Sequence, residues 1–128
     1  MTRIDLLRMQ YSKLLTSDAS LDFPEGWLGI VSRYLDEVSM ALSAGDLWRW
    51  YALRRVRSRY GLLEIVAEVG WPRLPEDVVR RLHEARHRAE EAARTTCDVC
   101  GAAGARHGYS EVTGIVVRCP DHSEGLDT

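Results

Sequence analysis

A chain of 128 residues, 45% hydrophobic and 28% charged, has the composition of one globular domain, long enough to bury a core. Its net charge of −2, with histidines neutral, excludes a global basic field that would draw it to nucleic acid, so any such affinity must be local. No apolar run approaches the roughly 20 residues of a membrane span, and Arg3, Asp5, Arg8 and Lys13 interrupt the first sixteen residues, so neither insertion nor an export signal is expected.

Thr2 with Asp5 forms a variant capping arrangement ahead of Ile4, Leu7, Tyr11, Leu14 and Leu15, which predicts a first helix over about residues 3–16. Thr16-Ser17-Asp18-Ala19-Ser20 reads as a polar loop, and Pro24 is placed to open the next helix. From Glu25, the positions Trp27, Ile30, Val31, Tyr34, Leu35, Val38 and Leu42 share one helical face, with Gly45 as a left-handed stop. Aromatic residues on such a face are core anchors rather than a ligand platform.

Residues 46–71 interleave Trp48, Trp50, Tyr51 and Tyr60 with Arg49, Arg54, Arg55, Arg57 and Arg59, and no acidic residue falls between Asp46 and Glu64. Alternation of Val56, Ser58 and Tyr60 against Arg55, Arg57 and Arg59 predicts a strand. Gly61 then turns the chain into Leu62–Ala67 as the return strand of a hairpin. Helix remains open for residues 47–57. One function for this segment is a nucleic-acid surface, arginines on phosphates and aromatics on bases; the other is a one-sided sheet whose arginine row is solvated.

Gly70-Trp71-Pro72 and Pro75 break the chain before a third helix with Glu76 and Asp77 in its first turn. Val78, Leu82, Ala85, Ala89 and Ala92 form its apolar stripe, and it is expected to end near Ala93 or Arg94. This helix contains His83-Glu84-Ala85-Arg86-His87, a literal H-E-x-x-H. The helical wheel puts both histidines opposite the apolar stripe, where a water-restricting catalytic cleft cannot form, so the match is read as accidental.

Cys97-Asp98-Val99-Cys100-Gly101, followed after 18 intervening residues by Cys119-Pro120-Asp121-His122, has the spacing of a four-coordinate zinc site. Each short pair turns two ligands toward one ion, and Gly101 can take positive φ after the second cysteine. Tyr109, Val112, Ile115, Val116 and Val117 supply a small hairpin between the pairs, turning near Thr113-Gly114. His107 and Asp121 are the alternative fourth ligands. Four protein ligands leave no open position, so the zinc is expected to be structural. All three cysteines fall in this site and none is left for a disulfide framework, which points to a reducing, cytoplasmic setting.

Arg59-Tyr60-Gly61-Leu62-Leu63, the helix ending at Thr96, Cys97 to Gly104, and Cys119 to His122 together resemble a group of uncharacterised small bacterial and phage proteins. Those share a Gly-Trp helix, a basic-aromatic-Gly-x-Leu-Arg hairpin and a C-x-x-C-G-x-P-G to C-x-x-H knuckle. Gly26-Trp27 fits the first element; Glu64 stands where that hairpin has Arg, and Ala103 where that knuckle has Pro. The resemblance implies a zinc-binding α+β protein of phage or mobile-element type, without an activity.

The expected fold class is therefore α+β: three helices, a small antiparallel hairpin and a C-terminal zinc module, residues 95–128, packed on a body of residues 1–94 as one unit. The expected function is non-enzymatic protein–protein docking, of phage, mobile-element or host-defence type, with no small-molecule substrate and no membrane. Its binding surface is expected at Trp48, Arg49, Trp50, Arg54, Arg55, Arg57, Arg59 and Tyr60. The alternative is nucleic-acid binding by the same residues, and a remote alternative is a metallopeptidase built on His83, Glu84 and His87.

Overall fold

The computed structural model describes residues 2–70 and 73–127. The fold is α+β, with three α-helices, a three-stranded sheet and a separate two-stranded hairpin. The expected break at Gly70-Trp71-Pro72 lies, at Trp71 and Pro72, outside the described residues.

The first helix, α1 (Arg3–Gln10), opens on a capping box in which Thr2 and Asp5 exchange backbone hydrogen bonds. It is shorter than expected: a 3₁₀ turn at Ser12–Leu14 tightens the chain and drives Leu14 into the core. The polar loop expected at residues 16–20 is instead part of a strand, β1 (Leu15–Asp22). As an edge strand it needs little apolar patterning. Ala19 and Leu21 face inward, Ser17, Asp18, Ser20 and Asp22 face water, and pairing with the neighbouring strand holds the backbone.

A 3₁₀ turn at Glu25–Trp27 leads into α2 (Leu28–Ser43), whose buried face of Val31, Tyr34, Leu35, Val38, Ala41 and Leu42 follows the predicted periodicity. The left-handed residue beyond the helix end is Asp46 rather than Gly45. Asp46 carries the positive φ (53°), and Leu47 N–H closes back on Leu42 C=O at 2.9 Å, as in a Schellman ending. Asp takes this conformation because its short polar side chain tolerates the left-handed region.

After a 3₁₀ turn at Trp48–Trp50 the chain runs through β2 (Tyr51–Arg59) and β3 (Leu62–Val69), so residues 51–57 are strand, not helix. The sheet order is β1-β2-β3, with β1 parallel to β2 and β2 antiparallel to β3. Between Leu53 and Arg55 the β2–β3 register slips by one residue. This bulge resets the alternation, so Tyr51 and Leu53 before it and Val56 after it all reach the buried face. Tyr60 and Gly61, with φ of 54° and 76°, form the tight hairpin turn that matches strand twist.

The third helix, α3 (Glu76–Ala93), packs along α2 and over β3. Its buried stripe is Val78, Leu82, Ala85, Ala89 and Ala93; Ala92 is exposed, because the last turn rotates Ala93 inward as the chain leaves for the cysteines. The apolar faces of α2, α3 and the sheet make one core, in which Trp27, Leu35, Leu42 and Leu53 are fully buried. Each such side chain contributes about 1.5–3 kcal/mol relative to exposure. Tyr34 and Tyr51 meet in it hydroxyl to hydroxyl at 2.9 Å, and burial pushes both phenols above their ordinary range, so the pair stays neutral.

The C-terminal segment forms a small hairpin, β4 (Arg106–Ser110) and β5 (Gly114–Arg118), then a 3₁₀ turn at Pro120–His122. Asp127 returns to pair with Tyr109 through two hydrogen bonds of 2.9 Å. No helix among the described residues is long and apolar enough to cross a membrane.

Candidate metal centre and the surface beside it

The end of α3 delivers Cys97 to a tight turn. Gly101 N–H donates to Cys97 C=O at 2.9 Å with Gly101 at φ 80°, and Cys97 N–H donates to Ala102 C=O at 2.9 Å. The β4–β5 hairpin brings the second pair back beside the first, and the Pro120–His122 turn points His122 at the thiols. Cys97, Cys100, Cys119 and His122 thereby place one ligand atom each within 4.8 Å of one another. Cys100 Sγ and Cys119 Sγ are 3.7 Å apart, while His122 Nδ1 lies 3.7 Å from Cys97 Sγ and 3.2 Å from Cys119 Sγ.

The group is arranged to hold a metal ion. Burial pushes the Cys97 thiol up, but hydrogen bonds from the backbone of Cys119, Cys100 and Val99 outweigh it and bring the thiol down to about 6. Cys119 shifts the other way, raised by burial and by the neighbouring thiols of Cys97 and Cys100. Backbone N–H groups aimed at sulfur favour the thiolate, the form in which cysteine binds metal. Cys97 and Cys119 are buried, while Cys100 is exposed at one end of a groove of about 780 Å³ between α2 and α3. His107 is occupied elsewhere, its Nε2 lying 3.1 Å from Gly61 C=O, and Asp121 is exposed outside the four-ligand group.

Asp98, between the first two cysteines, is the part of this centre that spacing did not reveal. It is the one buried charged residue among the described residues. Its carboxylate accepts from Val117 N–H at 3.2 Å and pairs with the Arg118 guanidinium, fixing the first turn to β5. Two glycines fasten the centre to the body. Gly26 N–H donates to Asp98 C=O at 3.0 Å, and a Cβ on Gly26 would overlap the Cys97 carbonyl. A Cβ on Gly61 would lie 2.8 Å from Ile115 and 2.9 Å from His107. Trp27 Nε1 donates to Thr96 C=O at 2.9 Å beside the first contact. The Gly-Trp pair thus meets the first cysteine turn, and the β2–β3 turn meets the β4–β5 hairpin, across long separations in sequence.

His83, Glu84 and His87 are all exposed on α3, and Glu84 lies 3.8 Å from Arg80. Among the described residues the one cluster of metal-ligand type is the Cys97 group.

The eight residues expected to form a binding surface do not lie in one uniform patch. Trp48 and Trp50 are half-buried against the core at one end of β2; Tyr60, 73% exposed, sits at the other with Arg59 over its ring. Between them Arg55, Arg57 and Arg59 point to solvent on the outer face of the sheet, as expected, and the bulge keeps Arg54 exposed beside them. This arginine row is flanked by carboxylates on both sides. Arg54 pairs with Glu68 at 2.7 Å and lies 3.9 Å from Asp18, Arg57 and Arg59 share Glu64 at 2.7 and 3.3 Å, and Asp22 is the register partner of Arg57. The hydrogen bond from Arg57 is the main reason the Glu64 carboxyl is held below its usual range. A gap free of acids in sequence is therefore not a gap in space.

Fold and site together define a small α+β protein with a C-terminal Cys₃His group arranged to hold a metal ion. No family profile, no curated protein and no solved structure matches the chain.

Proposed function

We propose that this chain is a zinc-braced, non-enzymatic binding protein that works by docking onto another protein through the outer surface of residues 48–60. The observation that carries the reading is the charge balance of that surface. Arg54, Arg55, Arg57 and Arg59 stand between Asp18 and Asp22 on β1 and Glu64 and Glu68 on β3. Four positive and four negative groups in alternating rows offer a polyanion no continuous track but suit the mixed charges of a protein surface. The phage or mobile-element setting rests on the sequence resemblance, and a cytoplasmic location on the thiol ligands needing a reducing compartment.

Zinc is the metal this donor set favours. A regular tetrahedron with zinc–sulfur bonds of about 2.3 Å has sulfur–sulfur edges of about 3.8 Å and sulfur–nitrogen edges of about 3.6 Å. The 3.7 Å sulfur pair and the 3.7 Å sulfur–nitrogen pair match those edges, and the other sulfur–nitrogen pair, at 3.2 Å, is shorter. With four protein ligands the ion braces the C-terminal hairpin and leaves no position for substrate.

Affinity capture from the cells that make the protein tests the docking function. The expected result is a protein enriched with the wild-type chain and lost when Arg55 and Arg57 are both reversed to Glu. A chain recovered alone, or salt-sensitive binding of DNA or RNA with no protein enriched, overturns it. Metal analysis is expected to find stoichiometric zinc, and a different metal or none would remove zinc from the proposal.

A further inference from the structure

The Arg/aromatic segment divides into two electrostatic regions, and the uncompensated one draws in two residues remote in sequence. At the start of β2, Lys13 Nζ lies 5.5 Å from the centre of the Trp48 ring. Arg49 and Arg73 lie 5.9 and 5.6 Å from the centre of the Trp50 ring. Lys13 comes from the turn after α1 and Arg73 from the segment before α3, so three elements bring three cations onto two adjacent indoles. All three are exposed, and none forms an ion pair among the described residues. Asp46, exposed two residues before Trp48, pairs with none of them.

A guanidinium over an indole keeps its in-plane N–H groups available, and the ring holds it ready for an acceptor. Resting on the docking function above, we propose that Lys13, Arg49 and Arg73 on Trp48 and Trp50 receive an acidic peptide segment of the partner protein, its carboxylates meeting the two guanidinium edges and the ammonium. Carboxylates fit better than a nucleic-acid strand for two reasons. Each indole is half-buried and already covered by the protein's own cations, which removes the stacking platform that single strands use. Beyond Tyr51, Arg54, Arg57 and Arg59 are paired with carboxylates, so a longer polyanion would leave the cluster onto a largely neutralised face.

The test titrates the full metal-loaded chain, by fluorescence anisotropy, against a short labelled glutamate-rich peptide, its glutamine counterpart and a labelled oligothymidylate. The glutamate peptide is expected to bind with an affinity that falls as salt rises, and the glutamine peptide not to bind. Arg49→Gln with Arg73→Gln should weaken binding roughly three- to tenfold, the effect of losing two exposed charge contacts. Lys13→Gln, on the other indole, reads the same cluster should the double variant fail to fold, and is expected to weaken binding about twofold or more. Arg81→Gln on α3 is the control and should change nothing. Absence of peptide binding, equal binding of the glutamine peptide, tighter binding of oligothymidylate, or unchanged affinity in the cluster variants overturns the inference, as does an equal loss in the control. Affinity capture separates the two levels: a partner retained by the Arg49→Gln/Arg73→Gln chain sinks the cluster alone, whereas no partner with the wild-type chain sinks docking itself.

Discussion

The two hairpins of this protein are both antiparallel pairs and are held by different physics. In β2–β3, strands of nine and eight residues lay Tyr51, Leu53, Val56, Leu63 and Ile65 into the common core, and four arginines on the other face are balanced by carboxylates. In β4–β5, strands of five residues bury little more than Gly108 and Val117, while Tyr109, Val112 and Ile115 remain exposed. A two-stranded hairpin with so small an apolar face is marginal in water. Its ends carry the metal ligands, its second strand is clamped by Asp98, and its outer side leans on Gly61. A coordination sphere can thus stand in for a core.

Removing the metal should break the comparison most. Structural zinc contributes roughly 10–16 kcal/mol at neutral pH, against about 5–15 for the stability of a whole domain. Chelation is expected to abolish amide-exchange protection across Arg106–Arg118 while Tyr51–Val69 stays protected, and Cys119→Ser should reproduce the pattern without chelator. Equal protection of the two hairpins after chelation would show that β4–β5 stands on packing alone.

Next comes the clamp. Asp98→Ala leaves the Arg118 guanidinium, itself largely buried, without its partner and frees Val117 N–H, a loss of about 3 kcal/mol for a broken buried pair. The module should unfold at lower denaturant and hold its metal more weakly, while the exchange protection of β2–β3 changes little. An unshifted denaturation midpoint would assign the clamp no part in holding the centre.

Gly26→Ala should cost about 1–3 kcal/mol, because the new methyl overlaps the Cys97–Asp98 backbone and neither side is a flexible side chain. Unlike the clamp variant, it strains a contact between body and module, so both hairpins should lose protection together in thermal unfolding followed by exchange. Loss confined to β4–β5 would show that the body does not feel the junction.

How much of this was legible in the sequence depended on whether the signal was local. The Cys97/Cys100/Cys119/His122 set, the α2 face and the α3 stripe are written in spacing, and the structure places them accordingly, with Ala93 in place of Ala92 at the end of the stripe. Strand β1 was not legible, because an edge strand with two inward side chains has the composition of a loop, and its order comes from β2. Asp46 as the left-handed residue beyond the helix end followed from tertiary placement of Leu47, which glycine-seeking rules do not see. The segment from Trp48 to Tyr60 is legible in part only. Its acid-free run ended at Glu64, and the carboxylates that neutralise it came from Asp18, Glu64 and Glu68, while the cations left unpaired included Lys13 and Arg73, which no window around Trp48 contains.

The smallest expected effect sharpens the comparison at one side chain. Glu64 holds both Arg57 and Arg59. Its carboxyl is depressed chiefly by the hydrogen bond from Arg57, so the folded state binds fewer protons there than the unfolded chain over the acid range. The stabilisation is therefore present at neutral pH and lost as pH falls through the depressed value. Acid also protonates the thiolates and releases metal, so the two effects must be parted by difference. Wild type is expected to lose more β2–β3 protection between neutral and acidic pH than Glu64→Gln, while β4–β5 loses the same in both. At neutral pH Glu64→Gln should lower the unfolding midpoint only slightly, since both partners are partly solvated. The substitution also releases two guanidiniums beside Arg55, turning a balanced face into a basic one, and salt-sensitive oligothymidylate binding should then become measurable where the wild type shows none. Identical acid profiles for the two chains would show that Glu64 leaves the stability of the hairpin untouched. Oligothymidylate binding already strong in the wild type would show that it does not neutralise the face.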